Sequence, residues 1–507
     1  MARIRYIIFF VISVLFLILG IILSYLKDDI FRNVFRRFMM LQENSPSIAF
    51  WKDIPFPLEL KAFLWNVSNP EEVKNGLEAP KLTEIGPFVF REYRNKSGIH
   101  WNHLNGTVSY RQTRHWVFDA SSSLPLDTLV TILNVPAAAV SKNFFHMNPI
   151  LRPAASLFLL AIKEKLFVTQ EAGDIIFNGY KDPLLTEASK FHPMPGVQDK
   201  FAIFYKRNNS ADFDGVFNIY TGELGLDKFG TVAKWNYKNS TGLFPSPCGD
   251  LRGGVDYLPP FEDNKEELEI YSTDLCRPLR VELKNRASKT DSHVSVHEYH
   301  LNSTIFYGNS SLNPSNKCYE GGNSLPSGVF NASSCHFGAP IFISNPHFFE
   351  ADPFYSSQFK DGSMQPNVSK HESYLKIEPI TGLLMEVHIK SQFNVYLRHV
   401  PMIEMFSNIN NTYFPIAWFD YSMKVGPEMS LKIWILSNLP FIFIVAGLSI
   451  LSLGLGNIIL GAIFLRAAIV AEKKGNENNR LIIDDAITQE SVEDDQVSDH
   501  LVDRSQS

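Results

Sequence analysis

The sequence has no surplus of positive charge, few cysteines and none of the usual catalytic motifs. Its 47 Lys+Arg stand against 53 Asp+Glu, for a net charge of −6. A nucleic-acid-binding protein needs a basic footprint, so no nucleic-acid partner is expected. G-x-S-x-G, P-loop and H-E-x-x-H patterns are missing, and His297-Glu298-Tyr299-His300 has the wrong second spacing. Neither an enzyme nor a cofactor is therefore expected. The four cysteines include no C-x₂-C pair, which removes the zinc-motif reading. His293, His297 and His300 read as exposed strand residues rather than as a metal site, because on an extended strand His300 points away from the other two. Internal repeats and low-complexity linkers are absent as well.

What is present is an uneven distribution of charge. Residues 6–26 carry no charge, and neither do residues 433–465. As a helix, the first segment spans about 31 Å at ~1.5 Å per residue, which matches a bilayer core. It exceeds the ~7–15 apolar residues of a cleaved signal, so an uncleaved anchor is expected. Asn438 and Pro440 mark the entry to the second span. Arg3 and Arg5 flank the first span, and Arg466, Lys473 and Lys474 follow the second. The positive-inside rule then puts both termini in the cytosol. The expected organisation is a cytosolic N-terminus (1–5), a first span (6–26), one large outer or lumenal domain (27–430), a second span with its entry (433–465) and an acidic cytosolic tail (466–507). A soluble cytosolic enzyme is excluded.

Glycosylation acceptors fit that topology. N-x-S/T occurs at Asn66, Asn95, Asn105, Asn208, Asn239, Asn302, Asn309, Asn331, Asn367 and Asn410, all between the spans. Cys248, Cys276, Cys318 and Cys335 lie in the same stretch, an even number suited to two disulfides; counting alone leaves three connectivities open. Strand patterns dominate this domain. Met385, Val387, Ile389, Phe393, Val395 and Leu397 alternate with Glu386, His388, Lys390, Gln392, Asn394 and Arg398, predicting a strand with one buried face. Tyr374–Ile380 and the turn at Pro379–Gly382 predict its hairpin partner. Val117, Ile203 and Val216 sit in further strand-like runs, as do Leu279, Val281 and Leu283. Asp28 to Leu41 carries a helical stripe of Phe31, Phe35, Phe38 and Met39, and residues 124–178 form a helical insertion that includes Leu151–Val168. In the tail, Glu477, Leu481 and Ile482 fit the acidic dileucine pattern [DE]-x-x-x-L-[LI], a sorting signal read by clathrin adaptors.

Several longer stretches resemble one family. They are Glu84-Ile-Gly-Pro-Phe-Val-Phe90, Asn178-Gly-Tyr-Lys-Asp-Pro-Leu184, Asp274-Leu-Cys-Arg277, Leu325-Pro-Ser-Gly-Val-Phe-Asn331, Gly338-Ala-Pro340, Asn345-Pro-His-Phe348 and Glu378-Pro-Ile-Thr-Gly382. Together with two-span topology they resemble the class B scavenger receptors, the family of the fatty-acid translocase, the high-density-lipoprotein receptor and lysosomal integral membrane protein type 2. Lys165-Leu-Phe-Val-Thr169 and the dileucine tail are most similar to the lysosomal branch.

The resemblance implies a mainly β fold with α: a large antiparallel β-barrel with a lipid tunnel and a helical bundle at its apex, held by two transmembrane helices. The 124–178 insertion corresponds to the apex. It also implies a Cys276–Cys335 bond. Lysosomal members bond the equivalent of Cys318 to a cysteine where this chain has Ser324, and other members point instead to Cys248–Cys318. Lys142, His146, Lys163 and Lys165 are the apex ligand-binding candidates, weighed against plain surface or packing roles. His146 falls near a histidine of the lysosomal member tied to pH-dependent cargo release. The expected function is a membrane glycoprotein that takes up lipids (fatty acids, sterols, phospholipids) or lipoproteins and passes lipid through the barrel, at the plasma membrane or the endosome–lysosome membrane. Alternatives are a sorting receptor for a lysosomal enzyme and a sensory-neuron co-receptor for lipid-like odorants.

Overall fold

A computed structural model of the chain describes residues 2–54, 57–190, 198–260, 265–301, 306, 314–319 and 325–502. The acceptors Asn302 and Asn309, and Ser324, lie outside the described residues. The chain divides into two compact units, Met1–Val34 with Asn438–Ser507, and Phe35–Ser437.

The first unit is helical. Ala2–Tyr25 forms one helix, and the second belongs to a helix running Pro427–Val502. Both contain a stretch long and apolar enough to cross a membrane. Ile7, Phe10, Ile21, Leu448, Leu453 and Ile463 are exposed, a surface suited to hydrocarbon rather than water. Glycine sets how closely the two helices approach. A Cβ on Gly20 would fall 2.6 Å from Leu451 Cγ, and one on Gly447 would fall 2.3 Å from Ser24 Oγ, distances that only a missing side chain permits. Pro440, expected at the entry to the second span, lies inside this helix. The helix passes through it, giving up the one hydrogen bond that proline cannot donate. The helix also continues into the acidic tail, where Leu481 and Ile482 are exposed.

The second unit is built on one large sheet. Its strands are β1 (Leu58–Val67), β2 (Leu82–Asn102), β3 (Thr107–Phe118), β4 (Leu129–Leu133), β5 (Phe167–Glu171), β6 (Val216–Tyr220), β7 (Val232–Trp235) and β8 (Glu267–Ser272). They continue with β9 (Arg277–Lys289), β10 (Ser295–Leu301), β11 (Val329–Asn331), β12 (Ile341–Ser344), β13 (Tyr374–Glu378), β14 (Leu383–Leu397) and β15 (Thr412–Lys424). Eleven strands follow the order β7-β6-β3-β2-β1-β15-β14-β13-β10-β9-β8, with β12 joined to β14 and β11 to β12.

The two ends of this sheet meet through a pair of glycines. Gly254 bridges Thr231 on one side and Ile270 on the other, and Val232 donates its N–H to Gly253 O at 3.0 Å. A Cβ on Gly254 would fall 2.4 Å from Tyr257 O, and Gly253 has φ +96°. Any larger residue would push the closing segment off the strands. The result is a nearly closed antiparallel barrel.

The β13–β14 hairpin forms with Glu378 opposite Leu383. One-sided burial of β14 does not hold. Glu386, Lys390, Gln392 and Asn394 on its polar face are buried, while Val387, Ile389 and Phe393 are only half-buried. The polar face is covered by hydrogen-bonded neighbours: Asn394 Nδ2 donates to Ser344 Oγ at 3.0 Å, and Lys390 N to Ser373 Oγ at 2.9 Å. Val117 lies in β3 and Val216 in β6, but Ile203 lies in a run of turns.

The 124–178 insertion is mixed. Helices Val135–His146 and Arg152–Ala161 are framed by the two-stranded sheet β4–β5. The expected helical run to Val168 stops at Ala161 because Phe167 and Val168 pair with Leu133 and Ile132, a pairing that suits β-branched and aromatic side chains.

Disulfides join Cys248 to Cys318 and Cys276 to Cys335, with Cα atoms 5.8 Å apart in each.

Candidate functional site: the barrel interior and the helical insertion

Register assigns the inward face. Leu60 pairs with Tyr421 and Phe90, Ala62 with Phe419 and Phe88, and Phe393 with Ala417, so these side chains share one side of the sheet. Phe204, from the turns after the insertion, reaches Phe419 at 5.0 Å and Trp116 at 5.9 Å between ring centroids. This apolar part of the wall includes Leu60, Ala62, Phe88 and Phe90, all buried.

Further along β2 and β3 the same face becomes charged. Arg94 donates to Glu92, whose other oxygen accepts from Trp116 Nε1 at 3.0 Å. Arg114 Nε lies 2.7 Å from Asp214, and Arg207 Nη2 lies 2.8 Å from both Asp214 and Asp274. Lys96 Nζ lies 3.1 Å from Asp256, which also accepts from Tyr110 OH at 3.1 Å. Burial alone would raise the Glu92 carboxyl, but Arg94 and Arg114 outweigh it and keep its pKa below the ordinary value. Burial dominates at Lys96, whose pKa is lowered despite Asp256. These groups come from β2, β3, the turns after residue 201, the segment between β7 and β8, and the β8–β9 turn, which the nearly closed sheet brings together.

At the insertion, Lys142 and His146 are exposed on the Val135–His146 helix, one turn apart. Lys163 and Lys165 are exposed in the loop after the Arg152–Ala161 helix and flank buried Glu164. Each pair is thus gathered on its own element.

A buried acidic pair that sequence reasoning missed lies beneath these lysines. Asn134 Nδ2 donates to Glu164 Oε1 at 2.6 Å and to Asp182 Oδ2 at 2.8 Å, while Tyr180 OH donates to Asn134 Oδ1 at 3.2 Å. Burial, then the Asp182 charge, pushes the Glu164 carboxyl up to about 8. Tyr180 and Asp182 belong to the Asn178–Leu184 motif, which was the available signal.

The histidine run divides among three settings. His293 sits in a turn at φ 60°, His297 is buried in β10, and His300 lies between Glu372 (2.6 Å) and Glu298 (2.8 Å). His293 is exposed as expected, but His297 is buried, in a strand paired on both sides, and His300 is half-buried. Among the described residues no group of side chains could hold a metal ion. Of the acceptor asparagines described, Asn66 is half-buried and accepts from Thr131 N at 2.9 Å. Asn95, Asn105, Asn208, Asn239, Asn331, Asn367 and Asn410 are exposed.

Comparison with known proteins agrees with this architecture. The model of the CD36 family matches residues 11–466. "Scavenger receptor class B member 1" of Bos taurus is 30% identical, covering 82% of this chain and 80% of its own length. "Lysosome membrane protein 2" of Rattus norvegicus is 30% identical, covering 81% and 85%. "Protein peste" of Drosophila melanogaster is 29% identical, covering 80% and 73%. None of these three bears the name of an enzyme. With the match running from one apolar helix through the barrel to the other, the chain belongs to the CD36 family.

Proposed function

We propose that this protein is a membrane receptor that binds lipid or lipoprotein ligands and passes lipid through the barrel interior to the membrane. The carrying observation is the inward face of β14, where Val387, Ile389 and Phe393 stay half-buried on the side that elsewhere forms apolar core. Apolar side chains left uncovered inside a closed sheet line space that hydrocarbon fills better than water. Each methylene moved there gains ~0.8 kcal/mol, so a ligand gradient suffices to drive transfer. Residues 27–430 form the outer or lumenal domain and both termini are cytosolic. Exposed Lys142, His146, Lys163 and Lys165 are the first contacts for a ligand. Purified full-length protein, extracted and analysed by lipid mass spectrometry, is expected to carry lipid. Ser391→Trp, which projects bulk from half-buried Ser391 opposite Phe419, reduces that load. A folded wild-type protein that carries no lipid and takes up none overturns the proposal.

A second reading is a sorting receptor for a lysosomal enzyme, supported by the relative named "Lysosome membrane protein 2" and by exposed Leu481 and Ile482 beside Glu477. Clathrin adaptors are the partners of that signal. Unchanged steady-state localisation of the double variant Leu481→Ala, Ile482→Ala counts against it.

A further inference from the structure

The loop joining β14 to β15, residues 398–411, carries a pocket of about 360 Å³ lined by His399, Ser407, Asn408, Ile409, Asn410 and Asn411. The loop is held on several sides. His399 N donates to Asn411 Oδ1 at 2.8 Å, which ties its two ends, and Val400 N donates to Phe406 O at 3.0 Å, which ties its middle. Gly76 presses on it from another segment: a Cβ there would fall 2.2 Å from Asn408 O. The same loop supports the helical insertion. Glu404 N donates to Ser156 Oγ at 3.1 Å, and the Arg398 guanidinium lies over the Phe145 ring at 4.3 Å.

The lining selects a class of ligand. Only Ile409 is apolar, and no Asp, Glu, Lys or Arg takes part, so neither hydrocarbon nor an ion finds its partner here. Side-chain amides supply donors and acceptors together, which suits a neutral molecule rich in hydroxyl and amide groups. Among the described residues, the side-chain amides of Asn408 and Asn410 and the His399 ring take no hydrogen bond from protein. The acceptors Asn66, Asn208, Asn331 and Asn367 differ, since each holds a backbone N–H with its side-chain oxygen. The volume is at the low end of small-ligand sites, ~300–1,000 Å³, which gives room for one sugar ring and not for a chain of them. One wall of the pocket is itself a glycosylation acceptor, in Asn410-Asn411-Thr412.

We propose that this pocket seats the first N-acetylglucosamine of the glycan carried by Asn410, with His399, Asn408 and Asn411 bonding its hydroxyl and acetamido groups. The seated sugar bridges the two ends of the loop and so pins the surface on which the insertion rests. Attachment to the wall supplies what a polar, open pocket lacks in affinity, because a tethered group reaches an effective concentration on the order of millimolar. The proposal rests on the outer or lumenal placement of residues 27–430 and is independent of the lipid that the barrel carries.

Full-length protein from a secretory host restricted to high-mannose glycans tests this in three forms: untreated, trimmed by an endoglycosidase to one sugar per site, and Asn410→Gln. Hydrogen exchange is read on residues 399–406, and occupancy of each acceptor by glycopeptide mass spectrometry. Untreated and trimmed protein are expected to exchange alike, and Asn410→Gln about tenfold faster, the effect of one or two net hydrogen bonds. His399→Ala keeps the sugar and the backbone bond to Asn411, and is expected to exchange as fast as Asn410→Gln. Asn239→Gln, at an acceptor outside the pocket, is expected to leave this segment unchanged. Wild-type exchange in Asn410→Gln or in His399→Ala overturns the seat, as does faster exchange on trimming alone. Sugar on other acceptors but none on Asn410 also overturns it and leaves the lumenal placement standing. Sugar on no acceptor removes that placement itself.

Discussion

His347 donates its Nε2–H to Glu84 Oε2 at 2.7 Å across 263 residues of sequence. The bond joins two of the segments whose sequence resembles the class B scavenger receptors, Glu84–Phe90 and Asn345–Phe348. Trp418 Nε1 donates to the same oxygen at 2.7 Å, His347 Nδ1 accepts from Gln365 N at 3.1 Å, and the His347 ring stacks on His371 at 4.3 Å. Burial would raise the Glu84 carboxyl, but the bonds from His347 and Trp418 hold it below its ordinary value. His371 is driven down to about 4 by burial and by His347, so it stays neutral.

Replacing His347 with Ala therefore removes two side-chain hydrogen bonds and leaves a cavity between Trp65 and His371. The expected loss is about 2–4 kcal/mol, read as a lowered melting temperature of the full-length protein. Glu84→Gln keeps an oxygen to accept from Trp418 and is expected to cost less. A melting temperature unchanged by His347→Ala would show that the two segments are held by other contacts.

The Glu164–Asp182 pair predicts that the helical insertion is more stable in acid. Glu164 titrates near 8 in the folded protein and near 4.3 unfolded. The folded state therefore holds its proton more tightly. The stabilisation is complete below the unfolded value and is lost as pH rises through 8, at up to about 1.4 kcal/mol per pH unit for one proton. Glu164→Gln keeps the shape and removes the titration. Hydrogen exchange at Asn134 and Leu184 between pH 5 and 8.5 should slope in the wild type and flatten in the variant, after correction for the intrinsic exchange rate.

Each disulfide closes a long loop, with sequence separations of 70 for Cys248–Cys318 and 59 for Cys276–Cys335. Replacing Cys276 and Cys335 by Ser is expected to cost about 4 kcal/mol in the chain-entropy model. Denaturant unfolding of the double variant measures it, and an unchanged midpoint would show that the bond adds nothing.

Acceptor exposure predicts a graded glycosylation pattern. Asn95, Asn105, Asn208, Asn239, Asn331, Asn367 and Asn410 are exposed and expected to be modified, while Asn66, holding Thr131 N at the β4 edge, is expected to be the least occupied. Site-resolved glycopeptide mass spectrometry reads this directly. High occupancy at Asn66 with low occupancy at the exposed sites would contradict it.

Sequence alone determined the features whose physical signal is local. Two uncharged stretches longer than a bilayer core become long apolar helices whatever surrounds them, because an unpaired backbone in hydrocarbon is too costly. The β13–β14 hairpin was legible in its turn and alternation for the same local reason. The tertiary structure decided what depends on distant partners. Alternation on β14 could not reveal that its polar face would be buried, because β12 and Ser373, which cover that face, come from elsewhere in the chain. Phe167 and Val168 read as helix until their pairing with Leu133 and Ile132 made them strand. Glu92, Arg114, Arg207 and Asp274 look like ordinary surface charges along the chain. Only the closing of the sheet through Gly253 and Gly254 takes them out of water together, where each needs the others to remain charged.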